Sequence, residues 1–434
     1  TVVVKDTMDM QGLPTTAGWH FLSAQAGGVD LIPETDSPVV ARMKEAGCVI
    51  LGKTNVPILS ATGTHASNSW AGPTLNAAAP DYMPGGSTAG TATAVAASMA
   101  VLGLAEETGG SIQNPASAQG LVGIKPTFAL VPNSGVVPLA GSTRDVVGPI
   151  ARTVRDAALT LDVIAGYCAE DPKTVAAIGK LPKGGYAARL SATALQGKRI
   201  GLYGPGWRAS PLSPECTSLY ARAQQELAAR GATLLEDPFA GTGFAAISKP
   251  ISDKYQFDAR GMECCPYDME LYLRRLGPSA AIRDYKSLAE LTKAEDPYAE
   301  GGVMAYMSYL AETAFSLENP TLPPPLQDFL GAKEAYLEVV AEMFARHRLD
   351  ALVFPQMREE LPKLHSDGVI NETTVCEINI AGMPVVTLPA GYYASGAPFN
   401  LVFVGLPWSE ADLLALAHDY EQATKHRRAP VLSV

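Results

Sequence analysis

Two serines stand in short glycine turns, Pro84-Gly-Gly-Ser87-Thr-Ala-Gly90 and Glu107-Thr-Gly-Gly-Ser111-Ile112, and a lysine lies far upstream in Thr1-Val-Val-Val-Lys5-Asp6. A hydroxyl beside an amine that can take its proton becomes a nucleophile for a carbonyl carbon, so this set offers acyl transfer without a histidine. Glycine turns add backbone N–H groups that can face a developing oxyanion. Such chemistry requires groups that are distant in sequence to be brought together.

The stretch between the serines supplies a means. Residues 91–99 are alanine-rich and predict a helix, and residues 100–104 predict a short buried strand. A helix of about 12 residues climbs about 18 Å. A strand of about 5 or 6 residues returns a similar distance. The chain would go up and come back, setting Ser111 beside Ser87 although 24 positions separate them. The rest of the chain alternates in the same manner. Strands are expected at 1–4, 47–51, 121–125, 197–203, 351–354, 384–388 and 401–404. Helices are expected at 36–46, with Asp36 or Ser37 as N-cap, and at 153–165, 214–230, 326–347 and 409–424. Residues 67–84 read as a loop. Residues 240–330 are the least regular part and are expected to shape a substrate pocket. The alternation predicts an α/β fold, a large mixed, mostly parallel central sheet with helices on both faces. No repeat or linker interrupts it, so one domain over 1–434 is expected.

Composition narrows the function. The chain has 434 residues, 47% of them hydrophobic, and a net charge of −11, which argues against a nucleic-acid surface. No apolar run approaches the ~18 residues of a membrane span. Six scattered cysteines without a C-x-x-C pair suggest reduced thiols in a cytoplasmic protein, any upstream targeting segment lying outside the sequence. The glycine turns lack the lysine of a phosphate loop and the spacing of a dinucleotide loop. Neither serine has a G-x-S-x-G elbow, no S-x-x-K occurs, and no histidine sits in a suggestive motif. No metal and no cofactor is expected. Taken singly, Ser87 reads as a helix N-cap, Ser111 as a turn serine and Lys5 as a surface lysine at a strand end. Taken together, they read as a catalytic set.

Those residues resemble the amidase signature family of amide hydrolases. Ordered matches continue through Gly12-Leu-Pro-Thr-Thr-Ala-Gly18, Gly52-Lys-Thr-Asn55, Gly123-Ile-Lys-Pro-Thr127, Asp145-Val-Val-Gly-Pro149, Ala381-Gly-Met-Pro384, Pro389-Ala-Gly391 and Glu410-Ala-Asp-Leu-Leu414. The resemblance implies Ser111 as nucleophile, Ser87 as bridging serine after a cis Gly86–Ser87 peptide, and Lys5 as base. It also implies backbone donors at Thr108, Gly109, Gly110 and Ser111. Thr88 and Asn114 are candidates for substrate contact. The family's helical portion before the lysine has no counterpart in the sequence. The chain departs from the pattern at Thr88 and Ala89, at Glu106-Glu107, where the family commonly has Gly-Thr-Asp before Thr-Gly-Gly, and at Gln113, where it commonly has Arg.

The expected reaction is hydrolysis of a small-molecule amide, without a nucleic acid or membrane partner and with a homodimer as an option. A neutral Lys5 draws a proton through Ser87 from Ser111, which attacks the carbonyl. Neutrality near pH 7, against an ordinary lysine value of about 10.4, is what burial and nearby donors would have to supply. Lys5→Ala and Ser111→Ala are each expected to abolish turnover and leave the fold intact. Two alternatives stand beside this. One is an amidotransferase component that generates ammonia for a partner. The other is a non-catalytic ligand-binding member, prompted by the departures around Ser111.

Overall fold

Val2–Lys5 (β1) is the strand on which the site is built, and all four of its residues are buried. A computed structural model describes residues 1–251 and 257–431; positions 252–256, part of the expected irregular segment, lie outside the described residues. After β1 the chain forms helix Pro38–Glu45 (α1), strand Ile50–Thr54 (β2), helix Ala89–Ala96 (α2) and strand Leu102–Glu107 (β3). Gln113–Ala118 (α3), Val122–Lys125 (β4), Val146–Ala151 (β5) and Val154–Ile164 (α4) follow. The second half adds Arg199–Leu202 (β6), Pro214–Ala229 (α5) and Thr233–Leu235 (β7). Three short helices come next, Cys265–Arg275 (α6), Tyr285–Leu291 (α7) and Ala311–Glu318 (α8), then the long Gln327–His347 (α9). Ala351–Pro355 (β8), Cys376–Ala381 (α10), Val385–Tyr392 (β9), Pro398–Val404 (β10) and Glu410–Thr424 (α11) complete the order.

The ten strands form one continuous sheet in the order β2-β1-β3-β5-β4-β9-β10-β8-β6-β7. The expectation of a mostly parallel sheet needs correction. Only its two ends are parallel, β2-β1-β3 and β8-β6-β7. The five pairings between them, from β3–β5 to β10–β8, are all antiparallel. One of the five has a local reason: a short connection joins β9 to β10, which a parallel pair cannot use. Strand sequences rich in Val, Ile and Leu state burial, not direction.

The segment between the serines goes up and back with different proportions from those expected. Helix α2 has eight residues, rising about 12 Å. It stops at Ala96, and Ser98 takes a left-handed conformation (φ +61°). Strand β3, of six residues, starts and ends later than the expected 100–104, so it carries Glu106 and Glu107 into the sheet. Helix α2 lies close on β1 and β3 because β3 offers Gly103. A Cβ there would come within 2.2 Å of Thr91 Cγ2. Three residues of the family motifs serve this packing: the Thr54 hydroxyl meets that of Thr91 at 2.6 Å, and the Gly90 N–H donates to Asn55 O at 3.0 Å.

The 240–330 segment is more helical than its sequence suggests. Helices α6 to α8 close over a cluster that includes Trp19, Met262, Tyr272, Tyr298 and Met307. Their brevity hides the helical period, but one start is legible: Asp284 accepts from Ser287 N and caps α7. Among the described residues no helix is long and apolar enough to cross a membrane. All six cysteines are free.

Candidate active site

Parallel strands put chemistry at their carboxyl ends, and β1 and β3 do so side by side. Val4 is in register with Leu104, so Lys5 at the end of β1 meets Glu106 near the end of β3. The Lys5 Nζ donates to Ser87 Oγ at 2.7 Å, to Glu106 Oε2 at 2.6 Å and to the Glu106 carbonyl at 3.2 Å. Lys5 and Glu106 side chains are 0% and 1% exposed. Three donors thus have three acceptors, an arrangement fitted to an ammonium. Lys5 is no surface lysine. Burial and nearby donors were the expected means of readying it as a base, and the Glu106 carboxylate is the neighbour which that expectation omitted.

Ser87 follows a cis Gly86–Ser87 peptide. It is not a helix cap: Thr88 occupies the N-cap position of α2, without a side-chain capping bond. The Thr88 N–H instead donates to Ser111 O at 3.4 Å, tying the two glycine turns together. Ser111 lines a cavity of about 390 Å³ together with Thr108 and Gly109. Gly110 has φ +92°, a conformation that favours glycine. Among the described residues, the N–H groups of Gly109, Gly110 and Ser111 have no acceptor. Donors left free in a turn beside a hydroxyl are what an oxyanion needs.

Glu107 holds that turn. Its buried carboxylate accepts from Ile112 N (2.9 Å), Gln113 N (3.1 Å), Gln113 Nε2 (2.6 Å) and Asn379 Nδ2 (2.9 Å). The Gln113 departure is therefore internal to the protein: a neutral amide packs against Glu107 beneath the nucleophile. Asn114 lies beside it, and its Nδ2 donates to Gly63 O (3.2 Å) and Glu372 Oε1 (2.7 Å), while its Oδ1 accepts from Gln356 Nε2 (3.1 Å). Asn114 and Thr88 are fully buried and neither lines the cavity; Glu372, which Asn114 holds, does. Burial pushes the Glu372 carboxyl above the ordinary glutamate range.

Asp145, at the mouth of β5, was legible only as a motif residue. Its carboxyl lies 2.5 Å from Thr108 Oγ1 and accepts from Leu139 N and Ala140 N at 3.0 Å each. Burial, and then the nearby Glu106 carboxylate, push it up to about 7. Its neighbour Arg144 donates from Nε to Thr108 O (3.2 Å) and from Nη1 to Asp258 O (2.8 Å), bracing the nucleophile turn against the opposite wall. Nothing in the local sequence around Arg144 signals this role. Glu106 did carry a signal, an acid where the family commonly has threonine, three places before the first glycine.

Asp145 yields a pH prediction. A carboxyl raised from 3.8 to about 7 binds its proton more tightly in the folded chain than in the unfolded one. Its contribution is full below the unfolded value and is lost as pH rises to about 7, a change of up to about 4 kcal/mol. An Asp145→Asn protein, whose amide mimics the protonated acid, is expected to lose less stability than wild type between pH 4 and 7. Urea unfolding across that range checks it.

Across the cavity, Phe257, Met262 and Tyr306 from the 240–330 segment form an apolar wall. Among the described residues no group of three or more His, Cys, Asp or Glu side chains is placed to hold a metal ion.

The sheet, the paired glycine turns and the lysine beneath them define an enzyme that acts on amide carbon–nitrogen bonds. The chain belongs to the amidase signature family: the family model described as Amidase matches residues 1–247. A glutamyl-tRNA(Gln) amidotransferase subunit of Acinetobacter baumannii is 31% identical over 438 aligned positions, covering 97% of this chain and 81% of that protein. The corresponding amidotransferase subunit of Moorella thermoacetica is 32% identical, with 100% and 84% covered. Among solved structures, the native peptide amidase from Stenotrophomonas maltophilia superposes with a TM-score of 0.77 at 30% identity, covering 100% of this chain and 84% of that one.

Proposed function

We propose that the protein hydrolyses a small amide through an acyl-enzyme on Ser111, with Ser87 relaying the proton and Lys5 as base. The 2.7 Å hydrogen bond from Lys5 Nζ to Ser87 Oγ, buried and joined to the Ser111 turn through Thr88, carries this reading. Attack by Ser111 Oγ forms the bond to the carbonyl carbon. The Ser111 proton passes to Ser87, which hands its own to Lys5. The free N–H groups of Gly109 and Ser111 face the oxyanion from the cavity wall. Return of the proton to the amine nitrogen breaks the carbon–nitrogen bond, and water then releases the acid. The apolar wall of Phe257, Met262 and Tyr306 supports a substrate with an apolar group beside the scissile amide.

A fluorophosphonate probe is expected to label wild-type protein at Ser111, located by peptide mapping. The Ser111→Ala protein is expected to fold, to take no label, and to lose turnover in a screen of aryl, aliphatic and peptide amides. Full turnover in Ser111→Ala would exclude the scheme. The likeness to amidotransferase subunits favours a second reading, in which the same site releases ammonia from glutamine for a partner. Glutaminase activity that appears only with an added partner protein would select it.

A further inference from the structure

The acid beside the base has no role in the scheme above. Glu106 Oε2 lies 2.6 Å from Lys5 Nζ, and Glu106 Oε1 accepts from Thr108 Oγ1 at 3.1 Å. Thr108 in turn meets Asp145 at 2.5 Å. A continuous file of hydrogen bonds thus runs Ser87–Lys5–Glu106–Thr108–Asp145. All five members are buried, and of them only Thr108 lines the cavity. A lysine with all three N–H groups donated has no lone pair with which to accept a proton.

We infer that Glu106 is a positioning residue that makes Lys5 a base by holding the lysine's proton, so that the Lys5–Glu106 pair and not Lys5 alone receives the proton of Ser111. The inference rests on the Ser111 scheme. Before attack, one proton moves 2.6 Å from Nζ to Oε2, converting ammonium and carboxylate into amine and carboxylic acid with no change in net charge. The amine then takes the Ser87 proton as Ser87 takes that of Ser111 and the Ser111 Oγ–carbon bond forms. The pair now holds one proton more than at rest and is cationic, opposite the oxyanion. It returns that proton through Ser87 to the leaving nitrogen as the carbon–nitrogen bond breaks, and Glu106 gives its proton back to Lys5. Inside a low-dielectric site an internal transfer avoids exchanging the lysine's proton with solvent. The charged and titratable groups facing Glu106 are Lys5 from β1, Asp145 from the start of β5, and the adjacent Glu107, which points to the Ser111 turn.

The test is the pH dependence of kcat/KM and kcat for wild type, Glu106→Gln, Glu106→Thr and Glu106→Asp, with any amide found in the screen. Wild type is expected to gain activity as the pair loses its second proton. In E106Q and E106T the lysine must give its proton to solvent. The acid limb of kcat/KM should therefore move toward alkaline pH by about one unit or more, and kcat at pH 7 should fall about 100-fold. KM should hold, because Glu106 does not line the cavity. E106D keeps a carboxylate and should keep the wild-type limb, which decides the matter if the other two variants are not recovered folded. An unmoved limb in E106Q or E106T, an alkaline shift in E106D, or a rise in activity on removing the acid would each overturn the inference. Ser111→Ala, assayed alongside, separates the two failures: inactivity there with an unmoved limb in E106Q sinks only the role of Glu106.

Discussion

A Lys5→Ala protein is expected to lose turnover and to be much less stable than wild type. The sequence alone suggested that this change would spare the fold, because the acid that pairs with Lys5 lies 101 residues away. Removing the lysine leaves the Glu106 carboxylate, 1% exposed, without its cation. Breaking a buried pair from one side costs about 3–5 kcal/mol, most of it the uncompensated charge. The loss of the proton acceptor costs about 10²- to 10⁴-fold in rate independently of stability. A double variant separates the two. In Lys5→Met with Glu106→Leu both charges are gone and apolar volume fills their place. Its stability should return to within about 2 kcal/mol of wild type, while turnover stays lost. Urea unfolding at pH 7 and a kcat/KM assay on the same samples measure both effects. A single Lys5→Ala protein as stable as wild type would mean that Glu106 finds water or another donor once the lysine has gone.

That contrast shows what was legible in the chain and what was not. Ser87, Ser111 and the free N–H groups between them announced themselves because glycine turns are local, and their spacing has a local meaning. The helix α2 and strand β3 that fold them together were legible for the same reason, though not their lengths. Ser98 ends the helix early with a left-handed residue, which alanine-rich sequence does not forecast. Apart from β9 and β10, which a short connection joins, the direction of the strands was out of reach. The Val- and Leu-rich stretches of β4, β9 and β10 record burial on both faces, and pairing partners separated by up to several hundred residues decide the rest. The same limit hid the file from Lys5 to Asp145. Its members are adjacent only because β1, β3 and β5 are neighbours, so Glu106 was visible as an oddity and its partner, 101 residues away, was not. Asn114 shows the reverse case. Its place beside the nucleophile suggested substrate contact, yet its amide is engaged with Gly63, Gln356 and Glu372.

The second large effect is expected at Glu107. Four N–H donors converge on this carboxylate, two from the backbone at the start of α3 and two from the amides of Gln113 and Asn379. Glu107→Ala leaves the two backbone N–H groups and Gln113 Nε2 buried without an acceptor, while Asn379 Nδ2 keeps Val375 O at 2.7 Å. Each such loss costs about 1–3 kcal/mol, so a total above about 4 kcal/mol is expected, beyond the usual range for one substitution. Because the donors belong to the turn that holds Ser111, any folded fraction should also turn over slowly. Glu107→Gln should be far milder. Its amide oxygen can keep the two backbone donors, and its new NH₂ group needs acceptors nearby. Those exist: among the described residues Gln113 Oε1 and Asn379 Oδ1 are both buried without partners, and rotating either amide presents its oxygen. Thermal melts and kcat for the two variants should therefore rank wild type, then Glu107→Gln, then Glu107→Ala. Equal losses in the two variants would instead place the requirement on the negative charge that the four donors hold. In that case the turn under Ser111 depends on an anion beneath it, and a neutral amide at 107 would be as damaging as no side chain at all.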